Sequence, residues 1–80
     1  MYRRLRESLA SKVHDVWVDW IKYLFKSCTK NEDGSLTIPV HLVDRWTRQS
    51  ECSYAKLEEH ERLSDQKIAD KYLVVIFQDE

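Results

Sequence analysis

The sequence predicts one mainly all-α domain, three helices around a long central first helix, with a short turn or extended segment near residues 29–38. Three observations predict it. Apolar residues recur at three- and four-residue steps through most of the chain, which is the helical period. The only glycine and the only proline, Gly34 and Pro39, fall in one polar stretch, so a single strong reversal is available. A chain of 80 residues buries only about 60% of its unfolded surface, enough for one core and not two.

The first helix is expected over roughly residues 4–27, with Leu5, Leu9, Val13, Val16, Trp17, Trp20 and Leu24 on one stripe. His14, Val18, Ile21 and Phe25 form a second stripe beside it. Two apolar faces predict a central helix covered on two sides by the rest of the chain. Over residues 29–39, Asp33-Gly34 supplies the positive-φ position of a turn, and Ser35-Leu36-Thr37-Ile38 alternates as a very short strand does. Pro39 suits the first turn of a second helix, about 39–50, which points Leu42, Val43 and Trp46 inward. After a break at residues 51–54, a third helix is expected over about 58–77, with Glu58, Glu59 and Glu61 at its positive N-terminal end.

Composition narrows the function. The net charge of −1 conceals an asymmetry: residues 1–50 hold nine Lys/Arg against six Asp/Glu, and residues 51–80 hold four against eight. Nucleic-acid binding needs a clustered basic face, and Arg3, Arg4 and Arg6 are the only basic cluster, so nucleic acid is not an expected partner. Charges interrupt the apolar residues after Arg6, so no signal peptide or membrane span is expected. Cys28 and Cys52 lack the close pairing that holds zinc and read as reduced thiols of a cytoplasmic protein, although spacing alone leaves a bridge between them open.

The turn invites comparison with a calcium loop, with Asn31 and Asp33-Gly34 at its third, fifth and sixth positions. Thr29 and Val40 then stand where that loop needs an acidic ligand and a bidentate Glu. His14, His41 and His60 share no helix face, no nucleophile sits beside a base, and one glycine cannot build a phosphate loop. No catalytic residue, metal or cofactor is therefore expected. Trp17, Trp20 and Trp46, at helical spacing, are expected to fill the core. Glu61, Ser64 and Asp65 place polar groups on the core-facing stripe of the third helix, with His14, Trp17, Arg45 and Arg48 as available donors. They read either as a structural network tying the helices together or as the lining of a small cleft.

His14-Asp15-Val16-Trp17, followed by Tyr54-Ala55-Lys56-Leu57-Glu58-Glu59-His60-Glu61-Arg62-Leu63-Ser64-Asp65, resembles the RyR domain, a module repeated in ryanodine receptors. Gln66 stands where that family usually has Arg, and Ser53 where it has Pro. Trp20-Ile21-Lys22-Tyr23-Leu24-Phe25, Asp33-Gly34, Ile38-Pro39 and Arg45-Trp46-Thr47-Arg48-Gln49 are similar to small proteins of bacterial viruses and prophages. The resemblance implies a phage or prophage origin, hence a bacterial host cytoplasm, and an RyR-like helical fold over the whole chain. Together with the polar residues on the core-facing stripe it motivates the leading expectation, a non-enzymatic module that recognises a small polar or nucleotide-derived ligand. His14, Trp17, Arg48, Tyr54, Glu61 and Asp65 are then expected to border a shallow site, Arg48 meeting an anionic group and the aromatics a planar one. The competing expectation is a protein-interaction module that binds a host or phage protein, or a second copy as a weak homodimer. Its motive is that Val74, Val75, Ile76 and Phe77 cannot all face one core.

Overall fold

A computed structural model describes residues 2–78. Helix α1 runs Tyr2–Ser27, β1 Thr29–Lys30, β2 Leu36–Thr37, α2 Val40–Glu51 and α3 Glu59–Gln78, with a single 3-10 turn at Tyr54–Lys56. The mainly all-α, three-helix class is therefore the one the sequence predicts.

Each boundary has a local cause. α1 ends where the Ser27 hydroxyl donates back to the Tyr23 carbonyl at 2.7 Å, a local side-chain bond that competes with the helix ladder. Lys26 in that turn complements the helix dipole. The extended segment is a small antiparallel hairpin pairing Thr29 with Thr37 and Lys30 with Leu36. Its loop closes through Asn31 N–H to the Ser35 carbonyl at 2.8 Å and Gly34 N–H to the Asn31 carbonyl at 3.1 Å. Gly34 sits at φ +90, which an L-residue adopts only under strain. Asp33 Oδ1 accepts from the Ser35 hydroxyl at 2.6 Å and from its N–H at 2.9 Å.

Pro39 lies one position earlier than expected. It is the cap of α2, with extended ψ, and its carbonyl accepts from the N–H groups of Leu42 and Val43. A proline has no N–H to lose there. α3 begins after Glu58, whose N–H donates to Glu61 Oε1 at 3.2 Å, half of a capping box.

α1 packs chiefly against α3, and α2 reaches it through side chains. Asp19 pairs with Lys71 of α3 at 3.5 Å, and Trp20 meets Trp46 of α2 edge to face at 5.5 Å between ring centres. The cover is nevertheless partial, contrary to the two-sided burial that the stripes of α1 predict. Val13, Trp17 and Phe25 stay more than half exposed, and Trp20 is exposed as well. The physical reason is the spread of the helices. The backbone spans 47 × 34 × 16 Å with a radius of gyration of 16.1 Å, against about 11.6 Å for a compact chain of this length. Parts of both faces of α1 are therefore left open. Among the described residues only Leu42 and Glu61 are buried, at 6% and 4% exposure. The core expected from three tryptophans is thus open, with only Trp46 half-buried.

No described helix is long and apolar enough to cross a membrane. Cys28 and Cys52 are both free and half-buried, so the bridge that spacing left open is not formed.

Candidate functional site

Two features converge where the helices meet. The first is a closed ionic corner between α2 and α3. Arg48, in the last turn of α2, faces Glu61, in the first turn of α3, with Nη2–Oε2 at 2.6 Å and Nη1–Oε1 at 3.3 Å. Two parallel bonds make this a bidentate pair, the strongest geometry available to a carboxylate. The Glu61 side chain is almost wholly buried, and the Arg48 side chain is partly open. The Arg48 guanidinium, joined by the Glu58 N–H, holds the Glu61 carboxyl below the ordinary glutamate value. Glu61 in turn raises Arg48. The expected donor for a buried carboxylate is therefore found, and it comes from the neighbouring helix.

The second feature is an open groove of about 730 Å³ between the three helices. Val16, Trp20 and Tyr23 of α1, Trp46 of α2 and Ile68 of α3 give it an apolar floor. Arg45, Gln49, Ser64 and Asp65 add polar rims, and the Lys71–Asp19 pair also lines it. Arg45 forms no ion pair among the described residues, so it is the free cation of this groove.

The six residues expected to border one site are only partly gathered. Arg48 and Glu61 are joined to each other, while Glu61 and Asp65 line the groove. Tyr54 does not line it; its hydroxyl accepts from Gln66 Nε2 at 2.8 Å. His14 and Trp17 stack on each other at 6.0 Å on α1, both exposed, away from the groove lining. Within the segment carrying the RyR resemblance, several members are bonded to one another: Arg62 donates to the Leu57 carbonyl, Gln66 to Tyr54, and Glu58 N–H to Glu61. Those bonds build the corner that leads into α3, a local structural task. Ser64 and Asp65 are exposed, because the stripe that reads as core-facing opens onto the groove at that level.

Sequence reasoning missed the groove's own chemistry. Trp20 and Trp46 read as core, and Arg45 was only one donor among four. The Lys71–Asp19 pair joins residues far apart in sequence, so no local spacing announces it.

Glu58, His60 and Glu61 bring ligand-type atoms within 4.8 Å of one another. The Arg48 guanidinium already lies 2.6 Å from Glu61 and 4.0 Å from Glu58, so a fixed positive charge stands where a cation would bind. His60 Nδ1 rests 3.5 Å from Glu58. Ser50 donates to the Thr47 carbonyl of its own helix.

The fold and site together define an open three-helix module with an ionic corner and an aromatic-floored groove. No family model, curated protein or solved structure matches the chain.

Proposed function

We propose that this chain is a non-enzymatic protein-interaction module, and that its working surfaces are the uncovered apolar faces of α1 and α3. One observation carries the reading. The accessible surface is 6809 Å², whereas a folded monomer of 9.6 kDa exposes about 5,100 Å². Likewise the radius of gyration is 16.1 Å, against about 11.6 Å for a compact chain of this length. The excess of about 1,700 Å² is roughly twice what one partner contributes to a standard protein interface. Much of it is apolar, since Trp17, Phe25, Leu63, Leu73, Val74 and Phe77 all stand exposed. Patches of this kind in soluble proteins mark surfaces that another molecule covers.

Small-angle X-ray scattering combined with a mass measurement tests the reading. The expected result is either an assembly or a monomer that keeps a radius near 16.1 Å. A monomer that contracts to about 12 Å overturns it, because the chain would then cover its own faces.

The groove supports a second reading, a small polar or nucleotide-derived ligand seated on Trp20 and Trp46 with its anionic group on Arg45. This transfers the cationic role expected of Arg48 to a residue that has no ion-pair partner among those described. A thermal-shift screen against nucleotides tests it. A ligand at about 100 times its Kd stabilises by roughly 2.7 kcal/mol, and the shift should vanish in Arg45→Ala. The setting we propose for either reading is the bacterial cytoplasm, following the resemblance to RyR-type phage proteins.

A further inference from the structure

α3 carries apolar residues on two opposite sides. At roughly 100° per residue, Glu61, Ile68, Tyr72 and Val75 share the inner side, and Leu63, Leu73, Val74 and Phe77 share the opposite one with Glu59, Gln66 and Asp70. Ile68, Tyr72 and Val75 are half-buried, and all four outer residues are exposed, Phe77 to 69%. Nothing among the described residues covers the outer apolar side chains.

Resting on the reading of α1 and α3 as docking faces, we propose that their occupant is a second copy of this chain. The two copies form a closed two-fold pair in which α1 of each lies on the outer face of α3 of the other. Area is the first reason. Two copies that each bury the excess of about 1,700 Å² make an interface of about 3,400 Å², inside the range of obligate homodimers, about 2,000–5,000 Å². A drug-sized ligand in the groove covers far less. Charge is the second reason. α1 carries six Lys/Arg against three Asp/Glu, while the outer side of α3 carries Glu59 and Asp70, neither of them in an ion pair among the described residues. Arg3, Arg4 and Arg6 pair with no acid among the described residues. Laying α1 on the outer side of the partner's α3 sets the basic helix against those two carboxylates, and two-fold symmetry makes that match twice. The net charge of −1 adds little self-repulsion. Exposed Trp17 and Phe25 on one face and Leu73 and Phe77 on the other supply the aromatic and aliphatic anchors such interfaces have.

Sedimentation of the full chain over a concentration series, with scattering on the same samples, tests the pair. The expected mass is twice the 9.6 kDa of one chain, and the melting temperature should fall on dilution, because dissociation and unfolding are linked. Phe77→Lys should weaken the pair by about 100-fold, as a buried aromatic anchor does. Val40→Lys, at a position 74% exposed on α2, should leave it intact. Should Phe77→Lys fail to fold, the dilution dependence of the unaltered chain still decides. A monomer at every concentration, with a melting temperature independent of dilution, overturns the pair. If that monomer keeps a radius near 16 Å, the interaction reading stands without it. If it contracts, both fall. Dissociation by Val40→Lys and not by Phe77→Lys also overturns the proposed arrangement.

Discussion

The corner between α2 and α3 and the far end of α3 are built from opposite materials and reach opposite ends. At the corner, a carboxylate and a guanidinium are matched by two bonds, and the carboxylate, Glu61, is the buried member. At the far end, Leu73, Val74, Ile76 and Phe77 are apolar and remain exposed. Hydrophobicity therefore does not decide burial in this chain. Available partners do: Glu61 is enclosed because Arg48 and the Glu58 N–H complete it, and Phe77 is open because one layer of helices offers nothing on its outer side.

The comparison can be broken most forcefully at Leu42, the one buried apolar side chain among the described residues. Leu42→Ala should cost roughly 2–5 kcal/mol in chemical denaturation. Glu61→Ala comes next. It strands the Arg48 guanidinium and the Glu58 N–H, so the melting temperature should fall by on the order of 10 °C. The double change Arg48→Met with Glu61→Leu should recover most of that loss, since apolar side chains of similar size replace a buried pair at little cost.

Acid sharpens the same contrast. The folded chain holds the Glu61 carboxyl below its ordinary value of 4.5, chiefly through Arg48. The pair therefore stabilises fully above that value, and its contribution is lost as pH falls through the depressed folded one. Asp33, lowered by the Ser35 hydroxyl and N–H, acts in the same direction. Thermal melts from pH 7 to pH 3 should show a steeper decline for the unaltered chain than for Glu61→Gln.

Smaller effects are expected elsewhere. Gly34→Ala meets no atom within 4 Å, so only the strained φ opposes it, at about 1 kcal/mol. Phe77→Ala, measured at concentrations too low for association, should change stability by no more than about 0.5 kcal/mol. A larger loss there would mean that the far end of α3 is covered within one chain.

Much of the fold was legible because its signals are local. The three- and four-residue steps marked all three helices, and Asp33-Gly34 and Pro39 marked the reversal between the first two. Pro39 fell one position outside its helix, since the cap and the first turn suit proline almost equally. The polar stripe at Glu61 announced a partner, and Arg48 was among the donors named for it. What stayed hidden depends on how the helices are laid. Periodicity shows that α1 has two apolar faces but not whether the same chain covers them. Trp17 and Trp20 therefore read as core and stand exposed. The groove and the Lys71–Asp19 pair exist only once α1 and α3 are side by side.

The openness of the molecule also governs how its backbone exchanges hydrogen with water. With only Leu42 and Glu61 buried among the described residues, few amides lie far from solvent, so slow exchange does not come from depth. It comes from helix hydrogen bonds and from whatever seals the outer faces. The slowest amides should therefore cluster around Leu42 and Glu61. Those near Phe77 should slow only as concentration rises, which would make exchange along α3 a direct record of how much of the chain is covered.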